Sequence, residues 1–467
     1  MNIRAVAGRS SAIPLIRRVL ATSVMTALLA PSAVFAQTQK EKELEARIAQ
    51  LEKMVEQLGS QQQQTQTTVS QAQAQISEVQ TAQAKAPAAV PAGKQPIQGT
   101  SILTAGNPGG TFSYGGLIRL DAFVTDTSDG RIPDGTPGRL FYHPGVIPVG
   151  SNSADGGDAY ADVHAQFSRF WFSADTVSDK GDKFKAYIEA DFYSGGNTLL
   201  GNEVVGNNYA LSLRHVYVSW NKWLAGQTWS NFQDVAALPD SLDIGGIDGS
   251  IFVRQAQVRY TSGAWSFSAE NPLTTVTPFL GASARFNSAD SVLPDLTGRW
   301  MTKGDWGHFT VAGLVRQFKY LDETTTGASV SVSGKFNLGA SDDIRYMVSA
   351  GSGLGRYLAF GVGSDTFIDA NGELQALDGY SSFVAWRHVF SPKVRTNLMY
   401  AMSMFDNDTD YTGFGVTERA QSLRANVVYT PHPKLDIGAE LTLGQRSLED
   451  DREGDLTRLH TSVRYTF

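Results

Sequence analysis

The sequence predicts an all-β fold, a 16-stranded antiparallel transmembrane β-barrel with an N-terminal α-helical coiled coil. Three observations support this prediction. After residue 110 the chain alternates apolar and polar residues in short segments, which is the pattern of strands with two different faces. Very short connections alternate with long ones, as in bacterial barrels whose short turns face the periplasm. The final segment alternates strictly and ends on an aromatic residue, Phe467.

Sixteen segments of the barrel region, 111–467, show the strand pattern. An even number of strands places both ends of the barrel on the periplasmic side. The terminal Phe467 resembles the insertion signal of outer-membrane barrels, so we predict that it is the assembly signal for the barrel-assembly machinery. The predicted strands cover residues 111–126, 162–176, 183–193, 210–220, 223–232, 250–261, 264–271, 295–302, 308–319, 327–336, 343–354, 377–390, 394–404, 420–430, 434–447 and 455–467.

Residues 1–36 have the composition of a secretory signal peptide, with four arginines ahead of a short apolar run and small residues before position 37. The run is about a dozen residues long, whereas a membrane-spanning helix needs about 20. The sequence contains no cysteine, which suits an oxidising cell envelope and excludes thiol catalysis and Cys-bound metals. These features predict export to the envelope.

Residues 37–86 contain no aromatic residue and follow a heptad pattern. Ile48 and Val55 fall at position a, and leucines fall at position d. The pattern predicts a coiled coil in the periplasm and therefore a homo-oligomer, although polar residues in the heptads leave the number of helices open. Prolines in 87–110 predict a stiff linker. Whether the helices only join subunits or also touch peptidoglycan is left open.

The segment 183–193 illustrates how the two faces of a strand are assigned. Phe184 and Ile188 share one face, whereas Lys185 and Glu189 share the other. A packed interior cannot hold many unpaired charges, so the charged face is assigned to a water-filled lumen and the apolar face to lipid. Aromatic residues also flank the short turns, where a membrane girdle would lie: Trp220, Trp223, Tyr260, Trp265, Trp306, Phe390 and Tyr429.

The same parity assigns a set of charged side chains to the lumen. With Arg446, the inward set holds twelve basic and five acidic residues, so lumen carboxylates would neutralise at most five of the twelve. The remaining positive charge predicts a pore that attracts anions. The predicted pore-lining residues are Arg119, Asp121, Arg169, Lys185, Glu189, Asp191, Arg259, Glu270, Arg299, Arg316, Arg345, Arg395, Arg424, Glu440, Arg458 and Arg464.

Several classes of function are excluded or disfavoured. The chain has no G-x-S-x-G, H-E-x-x-H or phosphate-loop motif, so no catalytic residue and no cofactor are predicted. The run Asp406, Asp408 and Asp410 lacks the glycine and the closing glutamate of a calcium loop, so no metal site is predicted. Basic residues are spread along the chain, which disfavours nucleic-acid binding. The alternative to a pore is an envelope tether or adhesin in which the coiled coil functions and the barrel is an anchor.

From about residue 111 the chain resembles the DcaP-like trimeric porins of proteobacterial outer membranes. The resemblance implies a trimer of 16-stranded barrels with periplasmic N-terminal helices. As an outer-membrane barrel, the protein is also expected to contact membrane lipid and lipopolysaccharide. The resemblance also implies diffusive uptake of small anionic solutes such as dicarboxylates. The matching segments are GLIRLD at 116–121, YIEADFY at 187–193, LRHVY at 213–217, GQTWSNFQD at 226–234, ALPD at 237–240 and FSAENP at 267–272.

The resemblance also singles out one loop and leaves one residue open. In porins the loop at the position of 233–249 folds into the channel, so Asp234, Asp240 and Asp243 are candidates for a constriction that faces the basic wall. Arg214 shares its strand parity with the apolar Val216. Its orientation towards the lumen is therefore not decided by the sequence.

Overall fold

A computed structural model describes residues 100–104, 110–150, 158–193 and 206–467. The predicted signal peptide, the predicted coiled coil and most of the predicted linker lie outside these residues. Among the described residues, no helix is long and apolar enough to cross a membrane. The described helical segments are α1 (Pro137–Leu140), α2 (Thr409–Thr412) and 3-10 turns at Pro144–Val146, Val235–Ala237 and Ala359–Gly361.

Nearly all of the regular structure is β-sheet, as predicted. The strands are β1 (Thr100–Thr104), β2 (Gly110–Thr127), β3 (Tyr160–His164), β4 (Arg169–Val177), β5 (Lys183–Asp191), β6 (Ser212–Trp220), β7 (Trp223–Trp229), β8 (Arg254–Ser262), β9 (Trp265–Glu270), β10 (Thr274–Thr277), β11 (Phe286–Ser288), β12 (Asp295–Gly304), β13 (Gly307–Tyr320), β14 (Glu323–Leu338), β15 (Asp342–Ser352), β16 (Thr366–Ile368), β17 (Leu374–Ala376), β18 (Asp378–Ser391), β19 (Val394–Asp406), β20 (Thr417–His432), β21 (Leu435–Leu448) and β22 (Glu453–Thr466).

The wall strands close into a ring of antiparallel neighbours. The ring runs from β2 to β9, through β12 to β15 and through β18 to β22, and β22 pairs with β2. The strands β3 and β4 pair with different parts of the same edge of β2, so together they fill one position. The ring therefore has sixteen positions, which confirms the predicted strand number, and β1 is an additional strand paired with β2.

Each wall strand has an apolar outer face and a different inner face. In β22 the exposed side chains of Leu459 and Val463 alternate with the buried side chains of Arg458 and His460. Because side chains alternate along a strand, the ladder between β21 and β22 keeps each set on one side of the sheet. The residues at the apolar positions of each strand thus form the outer surface of the ring.

The connections alternate in length with two exceptions. The connection between β21 and β22, residues 449–452, is short although it lies at the end of the ring that carries the long loops. The turn between β13 and β14 is only residues 321–322, although it lies at the end of the ring that carries the long loops, and Leu321 adopts a φ of 52° there. Two long connections form a second sheet of four short strands in the order β11, β10, β16 and β17. This second sheet was not predicted from the sequence.

Three of the connections fold into the ring: L1 (128–150), L3 (230–253) and L6 (353–377). Apolar residues of L3 and L6, including Phe232 and Leu358, form a buried cluster with inward residues of the wall such as Met347 and Phe383. A smaller cluster joins L1 to β3 and β22. Part of the interior is therefore a packed apolar core, which corrects the prediction of a water-filled lumen.

Candidate functional site: the barrel lumen

The loop L3 crosses the interior and is held by polar side chains of several wall strands. The carboxylate of Asp234 accepts hydrogen bonds from His308 of β13 at 2.8 Å and from Ser333 of β14 at 3.0 Å. Further along L3, the backbone N–H of Leu242 donates to Glu440 of β21 at 2.8 Å. These contacts fix both halves of L3 to the wall.

Four wall arginines bind backbone carbonyl groups of L3. Arg299 donates to the carbonyl oxygen of Gln233 at 2.9 Å, and Arg424 donates to that of Gly246 at 3.0 Å. A carbonyl group inside a barrel needs a donor, and a guanidinium offers five N–H groups in a fixed plane. The carbonyl partner is neutral, so this hydrogen bond does not cancel the charge of the guanidinium, although Arg345 and Arg119 also pair with the carboxylates of Asp343 and Asp121. The other two contacts are Arg345 to Leu238 and Arg119 to Leu242.

The loop L6 is fixed mainly by Arg316, which is only 2% exposed. Its guanidinium binds Asp295 at 3.1 Å and Asp365 at 2.6 Å, and it also donates to two loop carbonyl groups. The side chain of Tyr357, in L6, donates to the same Asp295 at 2.9 Å. A buried cation with two carboxylates thus joins L6 to the wall.

The loop L1 meets L3 inside the ring. The backbone N–H of Tyr142 donates to Asp243 at 2.7 Å, and its hydroxyl lies 3.5 Å from Asp248. Burial raises the pKa of the Asp248 carboxyl to about 6, although Arg424 and hydrogen bonds favour its ionised form. L1 and L3 therefore support each other through a buried polar contact.

The packing leaves the two sides of the lumen unequal. We call the inner faces of β13 to β22 the filled side, because L1, L3 and L6 cover most of them. We call the inner faces of β4 to β12 the open side, where L3 and L6 also contact parts of β8, β9 and β12. A cleft between the tip of L3 and the filled side holds only about 20 Å³, close to the space of one water molecule. On the open side, inward residues such as Lys185, Tyr217 and Arg259 are only half-buried.

Seven of the twelve basic residues assigned to the lumen form an ion pair with a carboxylate, so the prediction of at most five is wrong. The count was too low because several inward acids at strand ends and in loops were missed. Asp436, for example, lies on the inward parity of β21 and binds both Arg395 and Arg464. The seven are Arg119, Arg169, Lys185, Arg316, Arg345, Arg395 and Arg464.

The other five basic residues have no carboxylate at ion-pair distance within the described part of the chain. Arg458 and Arg446 donate to carbonyl groups of L1, as Arg424 and Arg299 do to L3. Arg259 donates to the side-chain oxygen of Gln257 at 2.9 Å and to the carbonyl of Trp229. The predicted acids Asp121, Glu189, Asp191, Glu270 and Glu440 all accept hydrogen bonds inside the ring. The role of all these residues in conduction stays a prediction.

The three constriction candidates have different surroundings. Asp240 faces the basic wall, with its carboxylate 2.6 Å from Arg395 and 3.9 Å from Arg387. Burial opposes ionisation of Asp234, but hydrogen bonds from His308 and other donors hold its pKa below the ordinary value. Asp243 binds the backbone N–H groups of Tyr142 and Gly245 and forms no ion pair with a described wall residue.

A β-bulge determines the orientation of Arg214, which the sequence left open. The pairing of β5 with β6 shifts after the pair Glu189 and His215, so Arg214 and His215 both lie on the inner face. Arg214 binds Glu189 at 2.7 Å and Asp191 at 2.9 Å. Simple alternation could not find this residue, because a bulge changes the parity.

The described residues contain no group of three or more His, Cys, Asp or Glu side chains arranged to hold a metal ion. The acidic side chains of the lumen are instead bound by arginines, histidines and backbone N–H groups. The chemistry of the lumen is therefore that of charged walls and hydrogen bonds.

Three comparisons relate the chain to known proteins. The profile of the DcaP outer membrane protein family matches residues 113–467. The crystal structure of the outer membrane channel DcaP of Acinetobacter baumannii has a TM-score of 0.65 and 24% sequence identity, covering 79% of this chain and 100% of that chain. This likeness shows the same fold. Among curated proteins, no significant match is found.

Two further solved structures are more distant. OmpT of Vibrio cholerae has a TM-score of 0.47 and 12% identity, covering 78% of this chain and 100% of that chain. An anion-selective porin from Comamonas acidovorans has a TM-score of 0.47 and 12% identity, covering 77% of this chain and 100% of that chain. The family match extends over most of the sequence and includes every strand of the wall except the first three residues of β2. The chain therefore belongs to the DcaP outer membrane protein family, whose members are outer-membrane channels and not enzymes.

Proposed function

We propose that this protein is a porin that gives diffusive uptake of small anionic solutes such as dicarboxylates. One observation supports the preference for anions above all others. Arg259 and Arg299 lie half-buried on the open side and donate hydrogen bonds only to uncharged oxygen atoms. Among the described residues, neither arginine has a carboxylate at ion-pair distance, although Glu270 is near both and Asp234 is near Arg299. Their charge is therefore less compensated than that of the seven ion-paired residues.

The two arginines are placed to act together on a solute. Arg299 is close enough to Arg259 for the two charges to interact, and only the small residues Ser266 and Ser268 lie between them on β9. At about 0.15 M salt the Debye length is about 8 Å, so charges on the wall act on an ion that passes within that distance. Guanidinium groups also suit the binding and release of carboxylates.

The test is the reversal potential of the purified protein in a planar bilayer under a KCl gradient. The parent channel is expected to prefer chloride, and Arg259→Gln with Arg299→Gln is expected to reduce that preference. Arg452→Gln is the matched control, because Arg452 carries the same charge, lies in the exposed turn between β21 and β22 and is paired with Asp450. Cation preference in the parent, or an equal shift in the control, would contradict the proposal.

We also propose that the homo-oligomer is a trimer joined beneath the pore by the coiled coil in the periplasm. The heptads of residues 37–86 support this proposal, and so does the resemblance to trimeric porins. Deletion of 37–86 is expected to leave a folded barrel and to lower the temperature at which the detergent-solubilised oligomer dissociates. An unchanged dissociation temperature would argue that the helices bind another envelope component.

The proposed assembly signal, Phe467, also closes the ring. Its backbone N–H donates to the carbonyl of Gly116 at 3.0 Å, and its ring lies beside that glycine. Phe467→Asp is expected to be exported but poorly inserted by the barrel-assembly machinery, whereas Phe467→Trp is expected to insert normally. Normal yield of the Asp variant in the outer membrane would reject the signal. A parent protein with no channel conductance would instead favour the tether or adhesin.

A further inference from the structure

A row of aromatic side chains lies on the open side of the lumen. The rings of Trp171 and Tyr187 are stacked with centroids 5.8 Å apart and planes at 24°. The rings of Tyr187 and Tyr217 are stacked with centroids 5.3 Å apart and planes at 25°. All three residues are on the inner face of β4, β5 and β6 and are half-buried. The row therefore forms a partly exposed aromatic surface inside the barrel.

The row ends at a position without a side chain. Tyr217 pairs with Gly226 of β7, and Gly226 pairs with Gln257 of β8. A Cβ atom at Gly226 would lie 2.3 Å from the carbonyl oxygen of Val216, and its φ is +134°, so the position requires glycine. The neighbouring strand consequently places no side chain against Tyr217, and a slot one strand wide lies between Tyr217 and β8.

The slot has the width that a flat ring needs. Neighbouring strands are about 4.8 Å apart, so β6 and β8 are separated by about 10 Å. Stacked aromatic rings have centroids about 4.5–7 Å apart. A ring stacked on Tyr217 would therefore lie above Gly226 and reach the side chains of β8.

The far wall of the slot carries Gln257 directly opposite Gly226 and, at the next inward position of β8, a cation. Arg259 lies on the inner face of β8, and its guanidinium is bonded only to the neutral oxygen atoms of Gln257 and Trp229 among the described residues. The acids nearest the aromatic row already have partners. Glu189 binds Arg214 at 2.7 Å, and Asp175 lies 3.4 Å from Lys185. Arg259 is therefore the group that would attract the charged end of a ligand.

We propose that Tyr217, Gly226 and Arg259 form a subsite for aromatic carboxylates, in which the ring stacks on Tyr217 and the carboxylate binds the guanidinium of Arg259. The inference rests on the proposed anion channel and narrows its substrate class. A flexible aliphatic dicarboxylate uses only the cation, whereas a benzoate-like acid uses both surfaces. The channel thus favours flat, ring-bearing acids over aliphatic acids of the same charge.

The experiment measures how added acids reduce the chloride current of the full-length protein in planar bilayers. Benzoate and cyclohexanecarboxylate are compared, because they share charge and approximate size but differ in aromaticity. Benzoate is expected to reach half-maximal reduction at a concentration about twofold to tenfold lower, the range for one aromatic pair. Arg259→Gln is expected to weaken both acids.

Variants at Tyr217 separate stacking from general effects. Tyr217→Leu is expected to remove the advantage of benzoate, and Tyr217→Phe is expected to keep it, which also shows that the wall tolerates substitution here. Tyr380→Leu is the matched control, because Tyr380 lies on the outer face of β18 and is 38% exposed. No advantage of benzoate in the parent, or an advantage that survives Tyr217→Leu, would overturn the subsite.

The reversal potential and the reduction of the chloride current, measured in the same planar bilayers, together distinguish the two proposals. A parent channel that prefers chloride in its reversal potential but does not distinguish the two acids overturns the subsite and leaves the anion channel standing. A parent channel that prefers potassium overturns both.

Discussion

The two sides of the lumen are built from the same kind of strand but are used differently. On the filled side, inward residues such as Leu314, Met347 and Phe383 are buried under L3 and L6. On the open side, inward residues such as Trp171, Lys185 and Arg259 remain partly exposed. Both sides have an apolar outer face and a regular ladder of backbone hydrogen bonds between strands. The difference therefore comes from what the inner face meets, and not from the strand.

One wall holds a packed apolar core on its filled side and partly exposed polar and aromatic side chains on its open side. Burial of a large apolar side chain stabilises a protein by about 1.5–3 kcal/mol, so a cluster the size of that on the filled side can keep two loops inside the ring. The loops then displace water from the filled side, so in the proposed channel solutes would pass along the open side. Stability and permeation would then depend on different strands.

The largest expected effect tests the filled side. Arg316→Gln would leave the buried carboxylates of Asp295 and Asp365 without their cation, and we expect the free energy of unfolding to fall by about 3–5 kcal/mol. The measurement is chemical unfolding in detergent, followed by tryptophan fluorescence. Arg259→Gln is the matched control on the open side, where no carboxylate would be left unpaired, and it should change stability by less than about 1 kcal/mol. Equal losses would remove the distinction between the two sides.

A smaller loss is expected from the apolar part of the same core. Leu354→Ala in L6 removes a fully buried side chain, and we expect a loss of about 2–3 kcal/mol, the low end for such changes because a loop can partly close the cavity. Larger fluctuations of the single-channel current should accompany it. Val384→Ala, on the exposed outer face of β18, should stay within about 0.5 kcal/mol. A stable, quiet channel with Leu354→Ala would show that L6 is not held by its apolar contacts.

The smallest expected effect is a change in the protease sensitivity of L3 at low pH. Burial opposes ionisation of Asp234, yet its hydrogen bonds, first that of His308, hold its pKa below the ordinary value of 3.8. The stabilising contribution of Asp234 is therefore complete above about pH 4 and is lost as the pH falls through its lowered pKa. We expect protease cleavage within L3 to increase between pH 4 and pH 2, and Asp234→Asn to weaken this pH dependence. An identical pH profile in the variant would exclude Asp234 as its source.

Much of the wall could be predicted because its signal is local. Alternation with a period of two defines each strand and its outer face, and sixteen such segments fit an even-numbered barrel. The segment 183–193 is an example, since every outward residue predicted there is on the outer face. The inward fold of L3 was expected only through the family resemblance, because no periodic pattern marks the path of a loop.

The interior was harder to predict for physical reasons. Parity predicts the face on which a side chain lies but not its partner: Met347 contacts Ile251 of L3, which is 96 residues away in the sequence. The bulge at Arg214 changes the face of the strand on which its side chain lies, and no neighbouring residue in the sequence indicates a bulge. The missed acids, such as Asp295, stand at strand ends, where the boundaries of predicted strands are least certain. The excess of positive charge in the lumen was therefore overestimated.

The seam between β2 and β22 has a consequence for the order of assembly. Its inner face is joined by Arg458 with Thr125, 333 residues apart in sequence, and by His460 with Asp121, 339 residues apart. Contacts between such distant segments form slowly, because the intervening chain must be ordered first. The ring can close only after the last strand has been synthesised and delivered, so the hairpins of the wall must persist beforehand with two unpaired edges. A chaperone or an insertion machine that shields those edges is then a kinetic requirement of the topology.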